Sequence, residues 1–446
     1  MFRATFAVIA IVVLAARLCH ISILWVEEAY GMAAAAEILR GRILYQDIWF
    51  DKPPLYAFVY TLIAARPGLG LRILGAIFVL LCCWAAYRLG RQMGGRALGL
   101  TAAALLAFFL TFAVPSAAIP LAPDLLMVLP HITAVWFAYR GKAFASGLIA
   151  GLGLLLNTKA AFVLAACLLW TWREWPRVLA GFAVGPLFAF ALLPREWIEQ
   201  VWVWGGVYAR DTFIARPVLE AIKRTGNWAG FHAALVLAAF WTRDRRLWVW
   251  AGIALLGIFP GVRFFPRYYF ILLPPLVMLA AAGCANMPRL ARAGFLALLL
   301  VPLIRFGPRY VQLARGDRTW PDIAMNQDSQ AAGEWIRTHA RPGDELLVWG
   351  YRPDIFIYSG LPAGTRYLDS QPLTGVLADR HLSDSRPSLV PQPMPPLPTF
   401  IADGLGPYNP ALRADRFADL GDYAIVHRTA GTIIYSRSGG ASREMR

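Results

Sequence analysis

Acidic residues crowd a short interval between apolar runs. Trp25–Tyr56, WVEEAYGMAAAAEILRGRILYQDIWFDKPPLY, holds Glu27, Glu28, Glu37, Asp47, Asp51 and Lys52. A carboxylate can take the proton of an attacking hydroxyl, and a cation can offset the charge that develops on a departing anion. Further groups of both kinds follow: Asp124 at the end of VPSAAIPLAPD, Lys159 in the triplet Asn157-Thr158-Lys159, and Arg267 with Tyr268 and Tyr269 in RFFPRYY. Charge is costly to hold in hydrocarbon, so these groups are expected at a bilayer face or in a wet cavity, where such residues often carry function. Each also has a plainer explanation. Glu28 and Glu37 suit a solvated helix, and Asp124 after Pro123 suits a helix N-cap. Lys159 can snorkel, Arg267 can meet headgroups, and Tyr268 and Tyr269 fit an aromatic belt.

The elements that must position these residues are membrane spans. The 446 residues are 58% hydrophobic, and the mean hydropathy is +0.51. The apolar stretches recur instead of forming one core, which predicts a polytopic α-helical membrane protein. About eleven spans are expected, with a margin of two: 4–24, 71–89, 97–113, 125–139, 143–156, 160–172, 178–193, 229–240, 247–261, 268–284 and 293–303. The apolar start after Arg3 reads as an uncleaved first span. Between the first two spans, Glu27 and Glu28 favour a helix N-terminus before the alanine-rich 29–39, Gly41 stops that helix, and Pro53-Pro54 opens another over 55–64. Both read as juxtamembrane helices within 27–64. Segment 194–227, rich in Trp and mixed charge, suits an interfacial stretch. Links such as RLGRQMGGR, WTRDRR and NMPRLAR carry net positive charge and are assigned to the cytoplasm. That parity puts the acidic stretch, Asp124, Lys159, Arg267 and the C-terminal region on the opposite face.

The transmembrane module is expected to occupy 1–310. From about Asn326 the pattern changes to a small extracytoplasmic α/β domain, 326–446. AAGEWIRTHARPGDELLVWG reads as an amphipathic helix, a turn at Pro342-Gly343-Asp344 and a buried strand 345–348. DIFIYSG, YAIVHR and TIIYSR give further strand signals, while PQPMPPLPTF, 391–400, reads as a stiff polyproline-like loop.

Several function classes are excluded. The net charge of +16 resides largely in the short links, and neither zinc-finger spacing nor a basic helix suited to a duplex occurs, so nucleic acid is set aside. No GxxxxGK[ST] or HExxH occurs. The six histidines are scattered, and the five cysteines lie in apolar runs as small buried hydrophobes. No cofactor is certain; a divalent cation on Glu27, Asp47 or Asp51 is compatible with oxygen ligands.

The run VEEAYGMAAAAEILRGRILYQDIWFDKPPLYAFVY, followed by Asp124, the NTK triplet and FFPRYYFILLPPLVMLAA, resembles the membrane-embedded glycosyltransferases of the GT-C class. Within that class it is similar to the undecaprenyl-phosphate aminoarabinose (ArnT-like) and protein O-mannosyltransferase-like enzymes, over roughly residues 5 to 290. The resemblance implies the GT-C fold in a bacterial inner membrane, with the active site facing the periplasm. It also implies transfer from a polyprenyl-phosphate-sugar donor to a lipid, glycan or protein acceptor, with inversion. The acidic pair that opens the first external loop of such enzymes maps to Glu27 and Glu28, where Glu stands in place of the usual Asp, and the base is one of the two. Asp51 is the acidic residue before Lys-Pro. Lys52, Lys159 and Arg267 become donor-phosphate ligands, with Arg267 where the family often has His. Tyr30, Tyr45, Asp124, Tyr268 and Tyr269 are candidate substrate contacts. A flippase or transporter of lipid-linked saccharide, or a non-catalytic assembly partner, are the alternatives; the chain lacks the internal repeat typical of transporters.

Overall fold

The computed structural model describes residues 2–210, 216–260, 262–376 and 391–437. The part of segment 194–227 at 211–215, the expected end of a span at Gly261, and stretches 377–390 and 438–446 of the expected C-terminal domain lie outside the described residues.

Helix α1 is Phe2–Leu18, α2 is Val26–Leu39, α3 is Pro54–Thr61 and α4 is Leu69–Phe109. Helix α2 starts earlier than expected, taking Glu27 and Glu28 into its first turn. It ends at Arg40, just before Gly41, whose φ of 94° lies in the left-handed region that favours glycine. Helix α3 opens on Pro54 at its first turn. Its Tyr56 and Tyr60, four apart and so on one face, pack against Gly31 of α2. A Cβ on Gly31 would sit 2.7 Å from the Tyr60 ring and 2.8 Å from that of Tyr56.

Among the described residues, three helical runs are long and apolar enough to cross a membrane: Leu69–Phe109, Ala160–Leu192 and Arg289–Ala314. Two of them are compound. In α4, Gly94 and Gly95 depart from helical geometry, and the chain doubles back so closely that a Cβ on Gly99 would lie 2.6 Å from the Tyr87 carbonyl. The expected break at RLGRQMGGR is this reversal. Ala160–Leu192 is likewise interrupted by a 3₁₀ turn, Trp172–Glu174. Its second half, Trp175–Leu192, packs on the helix Ala143–Leu154 through Gly147, Gly151, Gly181 and Gly185. A Cβ on Gly147 would come within 1.9 Å of the Val178 carbonyl. Two small-xxx-small pairs of this kind let helix backbones meet without intervening side chains.

Other expected spans are shorter or divided. Span 4–24 is a 17-residue helix, 125–139 is split between Pro123–Leu126 and Val128–Tyr139, and 229–240 is divided at His232 between Pro217–Phe231 and Ala233–Ala239. Helix Arg245–Leu256 stops short of the expected 261. Helix Arg289–Ala314 overruns its expected end and the domain boundary placed at 310.

The C-terminal α/β region starts with the helix Pro321–His339. Its sheet has β1 Leu346–Trp349, β2 Phe400–Asp403, β3 Tyr423–Arg428 and β4 Ile433–Arg437, in the order β1-β2-β4-β3. β1 and β2 are parallel; β2–β4 and β3–β4 are antiparallel. DIFIYSG is not the expected strand but a helix, Asp354–Ser359, closed by Gly360 at φ 71°. A short apolar run fits either structure, and here the left-handed glycine decides it. The polyproline-like stretch leads into β2, a strand without an earlier signal.

This region is tied to the segment that joins α2 and α3. The Trp49 N–H donates to the Arg366 carbonyl at 2.7 Å, and Arg366 Nη2 donates to the Tyr45 carbonyl at 2.9 Å. Arg40 Nη2 reaches the Gly360 carbonyl at 2.8 Å, and the Ala363 N–H reaches Glu37 Oε1 at 3.2 Å.

Candidate functional site

Consecutive residues on a helix point about 100° apart, and the acidic pair of α2 is divided by that angle. Glu28 is fully buried beneath α2. Its two oxygens take Nη1 and Nη2 of Arg72 at 2.8 Å each, and Oε1 also accepts the Leu121 N–H at 3.2 Å. Glu27, on the next face, borders a cavity of about 380 Å³.

Charges alternate along that cavity. Arg267 Nη1 donates to Glu27 Oε1, and its Nε lies 3.9 Å from Asp124 Oδ2. Asp124 Oδ1 accepts Lys159 Nζ at 2.7 Å and Asn157 Nδ2 at 3.2 Å. Asn157 in turn accepts the Lys159 N–H at 3.0 Å, so the NTK triplet shapes itself around Asp124. Lys159 Nζ also stands 3.9 Å over the Tyr268 ring, a cation–π contact. Burial pulls the Arg267 guanidinium toward neutrality, but Glu27, Tyr268 and Asp124 together outweigh it and hold its pKa above the ordinary value. Asp51 and Lys52, a neighbouring ion pair, add to the charged lining.

The motif Arg263–Tyr269 forms a partition. Arg263, Phe265, Arg267 and Tyr268 line this cavity, whereas Phe264, Phe265, Pro266 and Tyr269 line a second of about 430 Å³. The second cavity is apolar, walled also by Trp228, Phe231 and Phe306, with Arg224 at its edge. Phe264 holds φ at 49°, a left-handed conformation that side chains rarely adopt and that concentrates at binding sites.

The structure thus gathers Glu27, Asp51, Lys52, Asp124, Lys159, Arg267 and Tyr268 around one cavity. Glu28 does not join them, because Arg72 takes its carboxylate. Tyr30 lies behind the wall, stacked on Phe50 at 5.0 Å. Tyr45 shapes the loop: its hydroxyl donates to the Lys52 carbonyl at 2.8 Å, and its own carbonyl accepts Gln200 Nε2 at 2.7 Å. Tyr269 faces the apolar cavity, where its hydroxyl lies 2.6 Å from Thr225 Oγ1. The carboxylate set considered for a divalent cation is not assembled. Asp47 accepts the Ile43 N–H at 2.8 Å within its own loop, and Glu27 and Asp51 are each paired with a cation. Among the described residues no group of three or more His, Cys, Asp or Glu side chains could hold a metal.

Some lining residues are not among the candidates the sequence singles out. Arg263 lies 3.6 Å over the Tyr208 ring, and its Nη2 donates to the Tyr208 carbonyl at 2.8 Å. Tyr56 donates its hydroxyl to the Glu27 carbonyl, fixing the start of α2. Tyr351 and Gln371 reach the cavity from the C-terminal α/β region. Arg263 was visible within RFFPRYY, but the others depend on contacts between segments far apart in the chain.

Residues 51–198 match the family model described as dolichyl-phosphate-mannose-protein mannosyltransferase. That interval includes Asp51, Lys52, Asp124 and Lys159; Glu27 and Arg267 lie outside it. No curated protein matches the chain in sequence. Among solved structures, the chain is similar to ArnT from Cupriavidus metallidurans bound to undecaprenyl phosphate, with a TM-score of 0.60 and 15% identity over 98% of each chain. It is similar also to the apo state of that protein, with a TM-score of 0.59 and 15% identity, covering 98% of this chain and 97% of that one. The chain therefore has a GT-C-like fold, that of a polytopic helical membrane protein.

Proposed function

We propose that this chain is a glycosyltransferase that moves a sugar from a polyprenyl-phosphate donor to a hydroxyl acceptor on the extracytoplasmic face of a bacterial inner membrane. The proposal includes about eleven crossings, a transmembrane module over roughly 1–310 and an extracytoplasmic domain over 326–446. The observation that carries the reading is the pair of adjacent cavities sharing the Arg263–Tyr269 partition, one charged and one apolar. A ligand with an anionic head and a hydrocarbon tail matches both. The ArnT structure bound to undecaprenyl phosphate supports a donor of that class.

In this reading Lys52, Lys159 and Arg267 face the donor phosphate and stabilise charge as the bond from the anomeric carbon to the phosphate oxygen breaks. Polyprenyl phosphate leaves with the electron pair. The acceptor oxygen forms its bond to the same carbon from the opposite side, which inverts the centre. Its proton passes to the Glu27 carboxylate as general base. Asp124 positions Lys159 and, at longer range, Arg267. Glu28 acts only as the buried counter-ion of Arg72.

The test is sugar transfer by the detergent-solubilised full chain from labelled polyprenyl-phosphate donors, comparing Glu27→Gln with the parent. Loss of transfer with retained binding of polyprenyl phosphate is expected. Full transfer by the variant removes Glu27 from the mechanism. A parent chain that transfers none of the sugars overturns the transferase reading in favour of transport or assembly.

A further inference from the structure

Two lining residues come from a part of the chain that the chemistry above does not use. Tyr351 follows β1, and Gln371 opens a short helix, Gln371–Thr374. The turns that carry them are fastened to each other, since the Gly350 N–H donates to Ser370 Oγ at 2.8 Å. Gly350 holds φ at 99°, and a Cβ there would lie 3.2 Å from Leu405, so the turn depends on glycine. On the other side of Tyr351, the fully buried Arg352 is anchored by Asp328 Oδ2 at 2.9 Å, Ser329 Oγ at 2.8 Å and the Met325 carbonyl at 3.0 Å. The Tyr351 ring rests against Tyr30 of α2 at 5.7 Å, and Tyr30 in turn rests on Phe50. A side chain pinned on both flanks and braced from behind is preorganised, and sites held this way discriminate between ligands.

The chemistry of the pair differs from that of its neighbours. Phosphate calls for the cations, and the acceptor proton calls for a carboxylate. Asn157, Tyr56, Tyr208 and Tyr268 support charged groups or the backbone that carries them. Tyr351 and Gln371 bring a phenol and an amide to the lining, uncharged groups of the kind that suit a neutral, hydroxyl-rich ring. Burial, reinforced by Tyr56, Glu27 and Asp51, pushes the Tyr351 phenol well above its ordinary pKa, so it remains a donor at working pH.

We infer that Tyr351 and Gln371 contact the sugar of the donor and determine which pyranose is transferred, so that the C-terminal α/β region selects the sugar while the helical part holds the phosphate. The inference rests on the transferase reading above and deepens it.

The experiment compares the full chain with Gln371→Ala, Tyr351→Phe and Tyr351→Ala on polyprenyl-phosphate donors whose pyranoses differ at a single hydroxyl. Sugar-free polyprenyl phosphate serves as the binding probe. The expected result is a change of about tenfold or more in the ratio of kcat/KM between two donors for Gln371→Ala and Tyr351→Ala. Tyr351→Phe keeps the ring and shifts only the donor whose hydroxyl meets the phenol. Affinity for the sugar-free probe stays within about twofold of the parent, which also shows that each variant is folded. If kcat/KM falls alike for all donors and the ratios hold, the pair is structural and the inference fails, with the transferase reading intact. If the parent transfers no sugar, both fail together.

Discussion

Two charge clusters lie back to back across the first turn of α2, and they are built to opposite ends. In the closed one, Glu28 meets Arg72 through two parallel bonds in a site without access to water. In the open one, Glu27, Arg267, Asp124 and Lys159 alternate along a cavity with room for a ligand. A closed pair is expensive to bury, and its value is geometric: it fixes where α2 starts relative to α4. The open set lines a space large enough for a ligand, and in the proposed reading it shares its charges with the donor phosphate. In the proposed reading, adjacent glutamates divide scaffold from chemistry.

The strongest way to break this contrast is to neutralise each glutamate in turn. Glu27→Gln is expected to lower transfer by about 10²- to 10⁴-fold, the usual range for a lost general base, with little change in thermal unfolding. Glu28→Gln or Arg72→Met should do the reverse, destabilising the protein by about 3–5 kcal/mol because each strands a buried charge. Thermal unfolding in detergent reads this, and the double variant Glu28→Leu/Arg72→Leu should recover part of the loss. Equal stability effects at Glu27 and Glu28 would erase the distinction between the clusters. A smaller effect is expected from Lys159→Met, which removes one phosphate ligand from the open set. Affinity for sugar-free polyprenyl phosphate should fall about tenfold by titration calorimetry, as for one charge-assisted hydrogen bond.

The smallest effect concerns a third buried carboxyl, Asp354 in the C-terminal region. Burial, partly opposed by Arg352, raises its pKa to about 6. The folded form then binds this proton more tightly than the unfolded form, so stability present at low pH is lost as pH rises from about 4 to about 6. The slope is at most about 1.4 kcal/mol per pH unit. Asp354→Asn should flatten that fall relative to the parent when unfolding is followed across the interval. An unchanged slope would place the titration elsewhere.

What the sequence disclosed depended on whether the signal was local. The reversal at Gly94-Gly95 and the proline start of α3 are written in adjacent residues, and both were readable. Glu27, Asp124 and Lys159 stood out because charge is conspicuous between apolar runs. Separating the cavity-lining Glu27 from the buried Glu28 required Arg72, which lies 44 positions further along, and no local pattern marks that partner. DIFIYSG misled because four consecutive apolar residues, 355–358, do not reveal a period, while Gly360 carried the information. Several spans came out short or divided because hydropathy reports depth of burial and not helix continuity, as the break at His232 illustrates. Tyr351 and Gln371 were invisible because their position depends on how a sheet built from residues 346–437 meets a loop near residue 50.

That meeting has a consequence for biogenesis. The loop carrying Tyr45 and Trp49 is held by the Arg366 side chain and carbonyl, about 300 residues downstream. At a synthesis rate of roughly 5–20 residues per second, the loop waits on the order of tens of seconds for the segment that fastens it. Throughout that interval the helices can insert while the loop beside Asp51 and Lys52 is held in part by Gln200, whose Nε2 donates to the Tyr45 carbonyl at 2.7 Å and whose Oε1 accepts the Phe50 N–H at 2.8 Å. The part of the cavity wall that Tyr351 and Gln371 supply is therefore completed only after residue 371 has been made.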